Sequence, residues 1–493
     1  MTFDPDAAYQ AILARDARFD GRLFVGVTST GVYCRPICRV RTPMRKNCRF
    51  FSTAAQAEAA TFRPCMKCRP EIAPGPGLPW TVMDSSRTLA RQAAYALDSD
   101  AAGGETPSVA ALAERLGVSD RHLRRIFAAE HGVTPLQYVQ TRRLLLAKQL
   151  LTDTRLPVAQ VALTSGFRSL RRFNAAFVES YRMNPARLRK DATDPRAGPV
   201  AGDDAVTVKL GYRAPYDTAA LLRFIEQRAI PGVESVDGLA IRRSVRDGTL
   251  AIEPGWIEAT FVPDAAQVRL RFATALAPAS GRVVGAVRRW LDLDAAPEAI
   301  DAALGDLPGL PGLRLPGSVD AFELAVRAVL GQQVTVAAAR TLARRLVERF
   351  GMPIATPWPE IDRTFPEPAA LAGAPLSAIA ELGIIRARAG AVTAVAQCWP
   401  ALAGLLQPRC DPALLIERLC ELPGIGPWTA HYVAMRVLGW PDAFPPNDVA
   451  VKKAMDALFG KASAREAHAR AQAWQPWRSY AVLRLWNTLG KTT

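Results

Sequence analysis

The stretch Ala110-Ala-Leu-Ala-Glu-Arg-Leu-Gly-Val-Ser-Asp-Arg-His-Leu-Arg-Arg-Ile-Phe127 reads as a short helix, a glycine turn, a serine cap and a second, basic helix. Gly117 can take the left-handed conformation that ends the first helix, and Ser119 or Asp120 can accept a hydrogen bond from the first turn of the second. The same arrangement returns at Val158-Ala-Gln-Val-Ala-Leu-Thr-Ser-Gly-Phe-Arg-Ser-Leu-Arg-Arg-Phe173, where Gly166 makes the turn. Around both segments apolar residues recur at helical spacing with almost no strand alternation. Residues 82–190 are therefore expected to be entirely helical.

Pro/Gly-rich or polar stretches at 73–79 and 191–205 bracket this region and read as linkers. Beyond the second, short alternating runs such as Val206-Thr-Val-Lys-Leu210 and Val268-Arg-Leu-Arg-Phe272, with a helix expected at 217–228, predict a small α+β domain over 206–277. From 281 to 493 the helical pattern returns, interrupted by a proline-rich loop at 353–368 and a Gly/Pro turn at 422–427. A chain of 493 residues exceeds what one hydrophobic core organises. The expected fold is multidomain and mainly α: a small α+β domain at 1–76, an all-α domain of two helix-turn-helix pairs at 82–190, the α+β domain at 206–277, and an all-α domain at 281–493.

The net charge of +16 points to a polyanionic partner. Residues 1–75 carry 12 Lys+Arg against 6 Asp+Glu, and residues 76–198 carry 18 against 11, so most of the excess lies in the first half. That half is the stronger electrostatic binder of nucleic acid. No basic start, apolar run and small-residue cleavage site is read at the N-terminus, and the uncharged stretch 389–408 holds Pro400 and several polar residues, making it a poor membrane span. A cytoplasmic protein without membrane contact is expected.

Five of the eight cysteines fall between Cys34 and Cys68. Cys34 and Cys38 form one close pair, Cys65 and Cys68 another, and two such pairs can converge on one tetrahedral Zn²⁺. Spacing alone fits a closed structural site as well as a reactive one. Cys48 stands outside both pairs as a spare thiol, while Cys398, Cys410 and Cys420 lack iron–sulfur spacing and read as core thiols.

The stretch Phe24-Val-Gly-Val-Thr-Ser-Thr-Gly-Val-Tyr-Cys-Arg-Pro-Ile-Cys38, with Phe50-Phe51 and Phe62-Arg-Pro-Cys-Met-Lys-Cys-Arg-Pro70, resembles the N-terminal domain of the Ada family. The resemblance implies one zinc held by Cys34, Cys38, Cys65 and Cys68, with Cys34 also accepting a methyl group once from DNA methylphosphotriesters. Zinc keeps a thiolate deprotonated at neutral pH, and neighbouring arginines can dock phosphates. Methylating one of four thiolates takes the site from −2 to −1, an electrostatic switch for DNA affinity.

The tandem helix pairs, ending in Phe173-Asn-Ala-Ala-Phe-Val-Glu-Ser-Tyr-Arg-Met-Asn-Pro185, resemble the AraC-type DNA-binding domain. Arg121, Arg124, Arg125, Arg168, Arg171 and Arg172 are the expected DNA contacts, to bases or to phosphates. Promoter DNA and RNA polymerase are the partners such a domain implies.

Leu422-Pro-Gly-Ile-Gly-Pro-Trp-Thr-Ala430 has the form of a helix-hairpin-helix turn, in which Gly424 and Gly426 allow close backbone approach to a phosphate. Phe444-Pro-Pro-Asn-Asp-Val-Ala-Val-Lys452 follows, and by local sequence Asp448 is a helix cap. Together with Arg327-Ala-Val-Leu-Gly-Gln-Gln-Val334 and Pro476-Trp-Arg-Ser-Tyr-Ala481, these segments resemble the 3-methyladenine glycosylase branch, AlkA, of the helix-hairpin-helix superfamily. That resemblance makes Asp448 the catalytic aspartate and places Trp428, Tyr432 and Trp486 in the base pocket. Gln333 falls where some relatives insert an apolar wedge into the duplex. Trp428 stands where lyase relatives carry a lysine, so a monofunctional glycosylase is expected. The whole reads as an alkylation-response protein acting on alkylated and promoter double-stranded DNA. The competing reading is a non-enzymatic, methylation-sensing regulator whose C-terminal half only binds DNA.

Overall fold

The structure is a computed structural model of the whole chain and describes residues 3–75, 85–101, 108–192, 205–246, 253–406, 410–461 and 463–489. Most of both expected linkers, and the expected domain edges at 76 and 82, lie outside the described residues. Two compact units emerge. The first comprises 1–214, 262–285 and 293–295, the second 215–261, 286–292 and 296–493.

The first unit begins with a four-stranded sheet: β1 (Phe24–Val27), β2 (Val32–Cys34), β3 (Cys48–Phe51) and β4 (Arg63–Pro64), ordered β3-β1-β2-β4. β1 runs antiparallel to β2 and β3, while β2 and β4 are parallel. Gly26 is required in β1, because a Cβ there would lie 2.8 Å from the Phe51 ring and 3.0 Å from Phe62. Its absence lets the two rings close over the strand.

Described residues between 85 and 192 form helices and turns only. Helices Val109–Arg115 and Asp120–His131 form the first pair, Val158–Thr164 and Leu170–Tyr181 the second. Both turns use the expected glycines, Gly117 at φ +68° and Gly166 at φ +82°. Ser119 accepts from the His122 N–H, and Ser169 from that of Arg172, so each second helix starts on a serine cap. The long helix Pro135–Asp153 joins the pairs and packs against the residues that follow the zinc-domain sheet.

That contact is polar and buried. Lys148 Nζ lies 2.6 Å from Glu71 Oε2, with the two side chains 1% and 0% exposed. Arg69 bridges Glu71 and Asp153 at 2.9 and 2.6 Å. Beside them Tyr33, next to Cys34 in β2, donates its hydroxyl to Glu58 at 3.1 Å. Burial pushes Glu58 up to about 8, against the opposing pull of Thr141, Tyr33 and Lys148.

The first unit also holds β5 (Ala205–Gly211) and β9 (Gln267–Ala273), and the second holds β6 (Glu234–Asp237), β7 (Ala240–Val245) and β8 (Gly255–Val262), in the order β8-β7-β6. The pairs β5/β9, β6/β7 and β7/β8 are antiparallel. In the second unit, helices Ala321–Leu330, Val336–Phe350, Arg386–Leu402, Pro412–Cys420 and Pro427–Val437 enclose one apolar core that includes Val326, Val329, Leu346, Val392, Leu415 and Val433. Cys398 and Cys420 are exposed, which corrects their reading as core thiols, whereas Cys410 is half-buried and packs against this core. Cys398 falls off the Val392/Val395/Ala396 stripe of its helix, and Cys420 lies one residue past the buried Leu419. The expected loop at 353–368 is present up to the helix starting at Pro368, pinned by a bridge between Pro353 and Arg363.

An unfolded glutamate titrates at about 4.3, so between that pH and about 8 the folded chain keeps a proton on Glu58 that the unfolded chain releases. Stability from this group is complete below the unfolded value and is lost as the pH rises toward the folded one. Glu58→Gln, which mimics the protonated acid, should remove that decline. Its unfolding temperature should match the parent's at about pH 4 and exceed it at about pH 8, as measured by circular dichroism melts.

Candidate functional site

The thiols of Cys34, Cys38, Cys65 and Cys68 gather within 4.8 Å of one another. Cys34 ends β2, Cys38 follows in the next turn, and Cys65 and Cys68 lie in the turn after β4, so strand pairing brings the two sequence pairs together. Four sulfurs bound tetrahedrally at about 2.3 Å from one zinc would sit about 3.8 Å apart, and the cluster fits that demand. Hydrogen bonding with Cys38 and Cys65 pushes the Cys34 thiol up, whereas Cys34 and Cys38 pull Cys65 down. A divalent cation bound among them would hold all four as thiolates. Cys34, Cys38 and Cys65 are buried, and Cys68 is the most exposed of the four.

Of the basic residues around the cluster, Arg35 is spoken for. Its guanidinium is buried against Asp20, and it donates to the Cys68 carbonyl at 3.1 Å. Arg39, Arg41 and Lys67 remain exposed beside the cysteines. In the helical region Arg121, Arg124 and Arg125 lie on helix Asp120–His131, while Arg168 precedes and Arg171 and Arg172 open helix Leu170–Tyr181; all six are exposed. Arg124 reaches back to Asp120 at 3.0 Å.

In the second unit, Gly424 and Gly426 form the turn between helices Pro412–Cys420 and Pro427–Val437. Gly424 sits at φ +80°, where a Cβ would also meet that of Ala391 at 2.8 Å, whereas a side chain at Gly426 would enter open space. Gln332 locks the turn by donating to the Gly424 carbonyl at 2.9 Å and to Thr429 Oγ1 at 3.0 Å. Its neighbour Gln333 is exposed, in a left-handed conformation at φ +53° between helices Ala321–Leu330 and Val336–Phe350.

Asp448 caps helix Val449–Phe459, with Oδ1 accepting from the Val451 N–H at 2.7 Å. Two indoles converge on the same carboxylate: Trp428 Nε1 donates to Oδ2 at 2.8 Å and Trp486 Nε1 to Oδ1 at 3.2 Å. Trp428 and Tyr432, four residues apart on one helix, stack with centroids 5.4 Å apart and 7° between planes. Trp486 stands 6.3 Å from Tyr432 at 44°. Cap and aromatic cluster are thus a single assembly.

Behind Tyr432 lies a group of charges the sequence reading missed. Arg436 Nη1 donates to the Tyr432 hydroxyl at 2.7 Å, and its other nitrogens reach the Pro316 and Gly317 carbonyls. Phe224 carries both Arg228 and Arg436 over its ring, at 3.8 and 4.8 Å. Further in, Glu323 pairs with Arg243 at 2.5 Å and Arg327 at 2.7 Å, and Glu234 with Arg243 at 3.1 Å. Burial pushes the Tyr432 phenol up, but Arg436, Arg228 and Arg327 together outweigh it and the net direction is down. The i, i+4 spacing of Trp428, Tyr432 and Arg436 would have shown the last of these. Arg228, 204 residues before Tyr432, gave no such signal.

Family models match residues 7–71 as the metal binding domain of Ada, 112–191 as a helix-turn-helix domain, 207–320 as the AlkA N-terminal domain and 326–479 as an HhH-GPD superfamily base excision DNA repair protein. The chain is 38% identical over 500 residues to a probable bifunctional transcriptional activator/DNA repair enzyme AlkA of Mycobacterium tuberculosis, covering 99% of this chain and 97% of that one. It is 36% identical to DNA-3-methyladenine glycosylase 2 of Escherichia coli over 57% of this chain and 97% of the relative. To the bifunctional transcriptional activator/DNA repair enzyme Ada of Escherichia coli it is 37% identical, over 28% of this chain and 36% of that protein.

The two hairpin glycines should respond differently to a methyl group. Gly424→Ala forces both a strained φ and a clash, and should lower unfolding free energy by about 1–3 kcal/mol. Gly426→Ala should stay within about 0.5 kcal/mol of the parent. Urea unfolding of the two variants checks the contrast.

Proposed function

This chain belongs to the family of bifunctional transcriptional activator/DNA repair enzymes of the AlkA and Ada type, and from that premise we propose that it accepts methyl groups from DNA methylphosphotriesters, regulates promoters in response, and excises alkylated purines. The observation that carries the excision reading is the carboxylate of Asp448, fixed by two indole N–H groups of an aromatic cluster adjoining the helix-hairpin-helix turn.

In excision, the hairpin turn and the helix N-terminus behind it hold the phosphodiester backbone, and exposed Gln333 fills the gap left when a nucleotide leaves the stack. Trp428 and Tyr432 already stack on one another with 7° between planes, so the flipped base stacks against the side of the cluster where Tyr432 and Trp486 diverge by 44°. There an electron-rich face attracts a cationic alkylpurine. The bond from C1′ to the base nitrogen then breaks, and its electron pair departs with the base. The sugar left behind is electron-deficient at C1′, and Asp448 lowers its energy through space. Water adds its oxygen to C1′ and gives up a proton, completing hydrolysis. Trp428, Tyr432 and Trp486 carry no amine, so no Schiff base with C1′ forms and the glycosylase is monofunctional.

In the N-terminal domain, a zinc ion bound by Cys34, Cys38, Cys65 and Cys68 would keep their sulfurs as thiolates. Cys34 Sγ attacks the methyl carbon; the S–C bond forms, the C–O bond breaks, and the phosphotriester leaves as a diester anion. Nothing regenerates the thiolate, so each chain reacts once. Arg39, Arg41 and Lys67 supply exposed cations for the strand, and Arg121, Arg124, Arg125, Arg168, Arg171 and Arg172 supply those of the promoter-binding helices. Losing one negative charge near a phosphate is worth on the order of 1 kcal/mol, a several-fold gain in affinity. RNA polymerase is the protein partner of the methylated, promoter-bound form.

Zinc-loaded protein incubated with radiomethylated DNA should both acquire label and release free methylated base. Asp448→Asn should lower base release by at least about a hundredfold while leaving labelling of the protein intact, and Cys34→Ser should do the reverse. Base release untouched by Asp448→Asn would remove that residue from the mechanism. Binding of alkylated duplex with no base release by the parent would favour the non-enzymatic regulator.

A further inference from the structure

Sorting the buried charges behind the aromatic cluster by partner leaves an imbalance. Arg243 and Arg327 are matched by Glu323 and Glu234. Arg228 and Arg436 form no direct ion pair among the described residues, Glu234 acting on Arg436 only at longer range. Arg436 spends its donors on the Tyr432 hydroxyl and two backbone carbonyls, and Arg228 donates to the Phe224 carbonyl at 3.2 Å. On the other side of the aromatic cluster the charge is reversed, because Trp428 and Trp486 turn their N–H groups toward Asp448. Tyr432 is therefore held between two unpaired guanidinium groups at its hydroxyl and, through its stacked neighbour, an anionic carboxylate.

We propose that Arg228 and Arg436 determine lesion specificity: they place a fixed positive potential at the base end of the pocket, opposite Asp448 at the sugar end, aligned with the charge movement of N-glycosidic cleavage. This inference rests on the excision reading given above. When the C1′–N bond breaks heterolytically, the base gains one unit of negative charge and the sugar one of positive. A cationic alkylpurine leaves neutral, and a neutral purine leaves as an anion that is then protonated from water. Cations at the base end favour both departures, since the electron pair moves toward them.

Their effect on binding separates the two kinds of lesion. A cationic base is repelled before cleavage and relieved of that repulsion during it, so the guanidinium groups weaken its ground state and speed its chemistry. For a neutral base they leave binding unchanged and speed the chemistry alone. A poor neutral leaving group, carrying more charge at the transition state, benefits most. The lowered Tyr432 phenol is consistent with a positive potential at that spot, and Arg228, pushed down to about 10 by burial, keeps its proton at neutral pH.

Arg228, with fewer backbone ties than Arg436, is the residue to vary. Single-turnover kinetics of the full chain should be compared on duplexes carrying hypoxanthine, a neutral base, or 7-methylguanine, a cationic one. Arg228→Gln should slow hypoxanthine release about tenfold with the half-saturating protein concentration unchanged. With 7-methylguanine it should lower both the rate and the half-saturating concentration, by about threefold each. Arg228→Lys, which keeps the charge, should restore both substrates to within about twofold. Equal losses on both lesions with unaltered half-saturation, or a lysine variant as poor as the glutamine one, would reduce Arg228 to packing and overturn the inference alone. A parent chain that releases neither base would overturn the excision reading and the inference with it.

Discussion

An anion enclosed within a fold must have its compensation built in beforehand, and the anionic clusters of this protein are organised by that requirement. Four sulfurs crowd within 4.8 Å, a spacing suited to a divalent cation. Asp448 has three N–H donors waiting for it. Glu71 is met by Lys148 and Arg69, and Glu323 by Arg243 and Arg327. Where such compensation is incomplete the group responds: Glu58, short of a full counter-charge, is pushed up to about 8 by burial.

Much of the fold was legible because its punctuation is local. Gly117, Gly166, Ser119 and Ser169 announce turns and caps within a few residues of where they act, and the tandem repeat of that grammar fixes a helical region without knowledge of its packing. The cysteine pairs were legible for the same reason: each pair is a local turn, and only their convergence needed the pairing of β2 with β4. The expected roles of the six arginines cannot be read from their placement, since exposure serves solvent and phosphate equally.

What stayed hidden depends on contacts between distant segments. No spacing rule connects Trp486 to Asp448, or Arg228 to Tyr432, because each pair is joined by packing of helices far apart in sequence. Cys398 and Cys420 were misjudged for a related reason. Cysteine is commonly buried, but the helical phase of their neighbours, visible only once the buried stripe is known, turns both outward. Asp448 joins a local contact to a distant one: it is a helix cap, and the same cap geometry aims its second oxygen at the indole of Trp428.

Lys148 and Glu71 carry one more implication, for how such chains can be recombined. A lysine enclosed on the helix Pro135–Asp153 has its counter-charge in a different sequence module, so neither module is a self-sufficient cassette. Grafting the helix-turn-helix segment behind an unrelated sensor would strand an ammonium group inside apolar surroundings, a penalty of several kcal/mol for a buried ion left alone. A successful transplant must carry donor and acceptor together, which ties the inheritance of these two neighbours to one another.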